Sequence, residues 1–231
     1  MIKKTPVYVL ILAVLLGLFF TGRSEGLTVH LVAEHYVESA ATAYFTQHNN
    51  KSKTHGSAAF EGLRHCPDLL ALDLSHNEIT DLSFLRHCPK LKILLLGDND
   101  IIDISPLADL HDLEYLELWK NHITDFSPLA GLNKVIDLNV CFNRCDDLRP
   151  LHSLTRLERL WIYNSNNYSA KDPVDKDEVA KLHAALPGTN IDSISYSTLG
   201  GWRDHPRHFV VRDIFRKYKR YVPWGGMNES P

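Results

Sequence analysis

The chain has 231 residues, 44% of them hydrophobic, which is enough to bury a core in one large domain or two small ones and excludes disorder as a description of the whole. Its 25 Lys and Arg stand against 28 Asp and Glu, a net charge of -3 that supplies no global basic field and disfavours a nucleic-acid partner. Four cysteines, none in a C-x-x-C pair, are too few for a disulfide framework and give no zinc ribbon or thioredoxin-type site.

Residues 1–26 read as an address. Lys3 and Lys4 precede an apolar run from Pro6 to Phe20, about fifteen residues long where a comfortable bilayer span needs roughly 20. This order is that of a secretory signal, cleaved near Ser24-Glu25-Gly26 so that Leu27 begins the mature chain, with an uncleaved signal anchor as the alternative. Both readings place the remainder outside the cytoplasm, secreted or anchored at the cell envelope. In the second, membrane association runs through this segment. Residues 27–59 read as an N-terminal cap. Val29, Val32, Ala33, Tyr36, Val37, Ala40 and Tyr44 keep helical spacing after Thr28, so a helix is expected over Thr28 to Phe45, followed by the polar loop TQHNNKSKTHGS.

A 22-residue period governs residues 60–167. Asp68 to Pro89, Lys90 to His111, Asp112 to Asn133 and Lys134 to Thr155 stack in register, with a half-repeat from Phe60 before them and a broken fifth unit from Arg156. Each carries L-x-x-L-x-L-x-x-N-x-I, in which the L-x-L portion demands a short strand with Leu72 and Leu74, Leu94 and Leu96, Leu116 and Leu118, Leu138 and Val140 pointing inward. Asn77, Asn99, Asn121 and Asn143 form one column, suited to bonding backbone groups where the chain leaves the strand. Asp81, Asp103, Asp125 and Asp147 form another, expected to N-cap short helical turns on the convex side, three of which carry Pro106, Pro128 or Pro150 near their start. One unit cannot bury its apolar face, whereas stacked units can.

The spacing, the Asn column and the I-T-D-(L/F)-S-P-L phrase resemble the internalin-like or phosphatase-regulator-like class of 22-residue leucine-rich repeats. The resemblance implies an α/β solenoid: a superhelix with a concave parallel β-sheet, short helical turns outside, a helical N-terminal cap and an α/β C-terminal cap. It also implies that the concave sheet holds a protein partner.

Residues 168–200 read as the C-terminal cap, a helix over Asp175 to Gly188 with an acidic first turn and the stripe Val179, Leu182 and Leu186, then a strand in IDSISYS. Residues 201–231 form a basic tail with seven Lys or Arg against three acids, while the four full repeats carry fifteen acids against seven bases. A tail of +4 beside an array of -8 is expected to lie back on the repeats, a separate contact with a membrane or polyanion being the alternative.

The outward strand positions line the concave face, and they gather Tyr115, Glu117, Trp119, Asp137, Asn139, Arg159, Trp161 and Tyr163 in the last three strands. Tyr, Trp and Arg carry most binding energy at protein interfaces, so these eight are the candidate partner-binding residues. The competing reading has the tail cover the rings. Neither a metal nor a cofactor is called for. His65-Cys66 and His87-Cys88 recur one repeat apart, yet Cys66 and Cys88 share a column with Leu110, Leu132 and Leu154, which favours core packing over a disulfide or a metal. Cys141 is the only candidate nucleophile; no His occupies an adjacent outward column, while Cys145 falls in a buried Ile column. Asn50, Asn167 and Asn228 open short glycosylation sequons. The reading is therefore a non-catalytic protein-interaction module. Its rivals are an enzyme or enzyme accessory whose basic tail binds an anionic ligand, and a purely structural envelope component.

Overall fold

The computed structural model describes residues 40–42, 63, 67–144, 146–163, 174–194 and 202–216. Among the described residues, seven parallel strands of three residues each follow one another in sequence order: β1 (Ala40–Thr42), β2 (Ala71–Asp73), β3 (Ile93–Leu95), β4 (Tyr115–Glu117), β5 (Asp137–Asn139), β6 (Arg159–Trp161) and β7 (Asn190–Asp192). Neighbouring strands pair with a constant offset of one repeat, so Leu72, Leu94, Leu116, Leu138 and Leu160 fall opposite one another. The side chains of that row are buried, as are Leu74, Leu96 and Leu118 two residues on, and together they form the inner core of a solenoid. The 3-10 turns Ser83–His87, Ser105–Leu107, Ser127–Leu129 and Arg149–Ser153 close the convex side and send Leu85, Leu107, Leu129 and Leu151 into the same core. Each such leucine contributes roughly 1.5–3 kcal/mol by leaving water.

The Asn column is a hydrogen-bonded ladder. Asn121 Nδ2 donates to Leu96 O (3.0 Å) and Leu118 O (2.9 Å), and its Oδ1 accepts from Ile101 N (3.1 Å). Asn99 and Asn143 repeat the arrangement one unit either side. The residue before each Asn is left-handed, with φ of 60° at His76, 58° at Asp98, 55° at Lys120 and 56° at Phe142. Their N–H groups carry the inter-repeat ladder one step past the strands, each donating 2.8 Å to the next unit's carbonyl. The acids of the next column act one position earlier than a formal N-cap. The caps are Leu82, Ile104, Phe126 and Leu148, without side-chain bonds, while Asp81, Asp103, Asp125 and Asp147 accept from the N–H two residues on. That is an Asx turn leading into the helical turn.

At the front, Ala40–Thr42 is a strand rather than part of a helix, paired with Ala71, Leu72 and Asp73. Pairing onto an open sheet edge supplies backbone partners that the helical spacing of these residues did not anticipate. The remainder of the expected N-terminal helix and loop, like residues 1–26, lies outside the described residues. Among the described residues no helix is long and apolar enough to cross a membrane. At the back, α1 (Lys176–Ala185) begins at Asp175, which accepts from Asp177 N and Glu178 N, and buries Leu182. β7 then extends the sheet, and α2 (Pro206–Arg216) follows, folded onto the concave side.

Candidate functional site

The concave face is built from the outward rows of β2 to β6. One row runs Ala71, Ile93, Tyr115, Asp137 and Arg159, and the other Asp73, Leu95, Glu117, Asn139 and Trp161. Seven of the eight candidate residues, Tyr115, Glu117, Asp137, Asn139, Arg159, Trp161 and Tyr163, are buried. The open aromatic face expected from the sequence is covered by the chain's own segment from Trp202 to Phe215. Trp202, Val211, Ile214 and Phe215 pack with Tyr115, Trp161 and Tyr163 into a second core, separate from the one that holds the repeats together. Only Trp119 stays half-buried, its ring lying over Gly97 with Nε1 donating to Glu117 Oε2 (3.0 Å).

Two carboxylates organise the contact. Asp137 is fully buried and sits between two guanidinium groups. Arg159 donates through Nε (2.9 Å) and Nη2 (2.8 Å), and Arg207 of α2 through Nε (2.8 Å) and Nη2 (3.0 Å). Arg207 also reaches Glu158, and burial, which alone would lower its pKa, is outweighed by Asp137 and Glu158. Glu117 accepts from Tyr115 Oη (2.6 Å), Trp119 Nε1 and Trp202 Nε1 (2.9 Å), and lies 3.8 Å from His208 Nδ1. Burial pulls its carboxyl upward, but His208, Tyr115 and Trp202 outweigh it and hold the group at about 2. Burial, then the Glu117 charge, pushes the Tyr115 phenol far above its ordinary range. Arg159 lies 4.4 Å from the Trp202 ring, which also meets Trp161 edge-on at 6.1 Å. These are charge-assisted, bidentate contacts sealed by aromatic rings, the chemistry of a specific docking site.

A family model for leucine-rich repeats (two copies) matches residues 89–131. Among solved structures, a leucine-rich repeat protein of Leptospira interrogans is 26% identical with a TM-score of 0.50, over 57% of this chain and 33% of its own. Internalin C2 of Listeria monocytogenes is 27% identical with a TM-score of 0.40, over 60% of this chain and 70% of its own. The repeats are leucine-rich repeats. No curated protein matches the chain. The match spans only a third of the Leptospira protein's length.

On this leucine-rich repeat face the other candidates find different places. Cys88 is buried in the core, and Cys66 and Cys145 lie outside the described residues. Cys141 is buried in the second core, and burial drives its thiol well above the ordinary value, which favours the thiol over the thiolate. The rival anionic-ligand reading loses Arg207, whose charge is spent on Asp137 and Glu158. Reading the sequence missed Trp202, Arg207, His208 and Glu158 as site residues. A usable signal was present, since Arg207, Val211, Ile214 and Phe215 are spaced i, i+4, i+7, i+8 behind Pro206, the pattern of one helical face.

Proposed function

We propose that the chain is a non-enzymatic protein-binding module, exported from the cytoplasm, that takes a protein partner on the concave side of its leucine-rich repeats. The observation that carries this reading is the face itself, where aromatic rings, arginines and desolvated carboxylates already grip a helix in the manner of an interface centre. Trp119 is the point of entry, because it alone of the eight candidates reaches solvent while the segment is seated. Tyr115, Glu117, Asp137, Asn139, Arg159, Trp161 and Tyr163 form the floor that a partner meets once the segment yields.

The test uses the full chain and its Trp119→Ala variant to capture proteins from surface extracts. A single stoichiometric partner is expected with the parent, weakened at least about tenfold in the variant, since interface aromatics of this kind each carry about 2 kcal/mol or more. Equal capture by both proteins refutes the concave site. The export half is checked separately, by mass spectrometry of the native protein, which should find an N-terminus at or near Leu27.

A further inference from the structure

We infer that the Trp202–Phe215 segment is a built-in stand-in for the partner, and that the concave face recognises a basic, aromatic turn and helix: a Trp in the turn, an Arg five residues on in the first turn of the helix with a His beside it, and apolar residues at the Val211, Ile214 and Phe215 positions of the helix. The inference rests on the concave-side reading above and gives its partner a chemistry. Three observations support it. The segment's apolar side chains join the outward side chains of the strands in a core of their own, apart from the inner leucine core that stacks the repeats. Its hold is directional and polar, with Arg207 bidentate on Asp137 and Trp202 on Glu117, so the face selects a charge and an indole rather than any apolar helix. And the fit is incomplete. Asn139 is fully buried between Glu117 and Trp161 in its row, yet among the described residues its Nδ2 finds no hydrogen-bond partner. An unpaired buried donor works against whatever covers it. A partner helix with a side-chain oxygen beside its Trp satisfies that amide and so out-competes the tethered segment, whose advantage is its high effective concentration.

The probe is a labelled peptide keeping only Trp, Arg, His, Val, Ile and Phe at the segment's spacing, with Ala, Glu and Lys elsewhere. A control carries Ala for the Trp and Glu for the Arg. Binding is read by fluorescence anisotropy against the full parent chain and the full-length Trp202→Ala/Arg207→Ala double variant, whose own segment has lost both anchors. The double variant is expected to bind the peptide at least tenfold more tightly than the parent, with neither protein binding the control. If the double variant does not fold, Arg207→Lys, which keeps the charge but not the bidentate geometry, takes its place with the same expected direction.

A variant that keeps its circular dichroism and binds the peptide no better than the parent overturns the inference and makes the segment a fixed cap. Concentration-dependent dimers of the parent that vanish in the double variant, without peptide binding, overturn it in favour of segment exchange between two copies. Capture of a partner through Trp119 without peptide binding sinks this inference alone, while loss of the Trp119 effect with peptide binding intact sinks only the choice of entry point.

Discussion

Asp137 is the position where one substitution should cost most. Its carboxylate is fully buried and receives four N–H donors, two from Arg159 and two from Arg207. Asp137→Ala leaves two guanidinium groups facing one dry spot, with Glu158, whose side chain is 56% exposed, as the remaining acid within reach of Arg207. Removing one partner of a buried ion pair costs roughly 3–5 kcal/mol, because the charge left behind keeps its desolvation penalty. Arg207→Ala is milder. Asp137 then retains Arg159, Glu158 turns to water, and the loss is that of charge-assisted hydrogen bonds, about 1.5–3 kcal/mol. The double substitution should cost less than the sum of the two singles, since the second change removes one of the charges stranded by the first. Urea unfolding followed by tryptophan emission, to which Trp161 and Trp202 contribute with the chain's other two tryptophans, and by far-ultraviolet circular dichroism, which reports the solenoid, separates loss of the segment from loss of the fold. Arg207→Ala costing as much as Asp137→Ala, or Asp137→Ala unfolding like the parent, would refute the account of the buried carboxylate.

Four further outcomes follow from the same geometry. Asn121→Leu strands Ile101 N, while Leu96 O and Leu118 O keep a second amide from Asn99 and Asn143, so a loss of about 1–3 kcal/mol is expected in chemical denaturation, with Asn121→Asp also destabilising because a carboxylate cannot donate to those carbonyls. Glu117 is held at about 2 against an ordinary 4.5, so its ionised contacts stabilise the docked segment above pH 4.5 and are lost as the pH falls from there toward 2; tryptophan emission should stay native at pH 5 and shift to the red below 4.5, and a complete shift above pH 5 would contradict this. Gly97→Ala puts a Cβ 2.1 Å from Trp119 Nε1, so the ring must swing away from Glu117 at a cost of about 1–3 kcal/mol, read as a lower melting temperature and stronger acrylamide quenching of tryptophan emission. Cys141 should resist alkylation in the folded parent and become reactive in Trp202→Ala/Arg207→Ala, as mapped by mass spectrometry of the modified peptide.

The repeat architecture was legible because it is written in local spacing. A fixed 22-residue offset brings Leu72, Leu94 and Leu116 into one row, and an Asn that can both donate and accept is the economical residue wherever the chain must turn out of a strand. The concave face was half legible. The outward rows were read in the correct register, but a face meant for a partner and a face covered by the chain's own helix call for the same aromatic and arginine side chains. Nothing near Asp137 announces an arginine seventy residues away. The net charge of the last thirty-one residues drew attention to their basic character and hid the helical stripe of Arg207, Val211, Ile214 and Phe215 within them. At the other end, Ala40–Thr42 satisfied a helical period equally well, and the decision went to the strand through pairing with β2, a contact thirty-one residues distant.

The order of the segments along the chain gives the protein a history. Strands β2 to β7 are all made before Trp202, and Phe215 follows Asp192 by 23 residues. At synthesis rates of roughly 5–20 residues per second, the finished sheet precedes its own covering by about 1 to 5 s. A molecule that meets the nascent chain in that interval finds an unoccupied face and faces no competitor; one that arrives later must wait for Arg207 and Trp202 to let go. Co-expression and later mixing are therefore different experiments on this protein, and the ratio of complex formed in the two measures how firmly the segment, once seated, keeps its place.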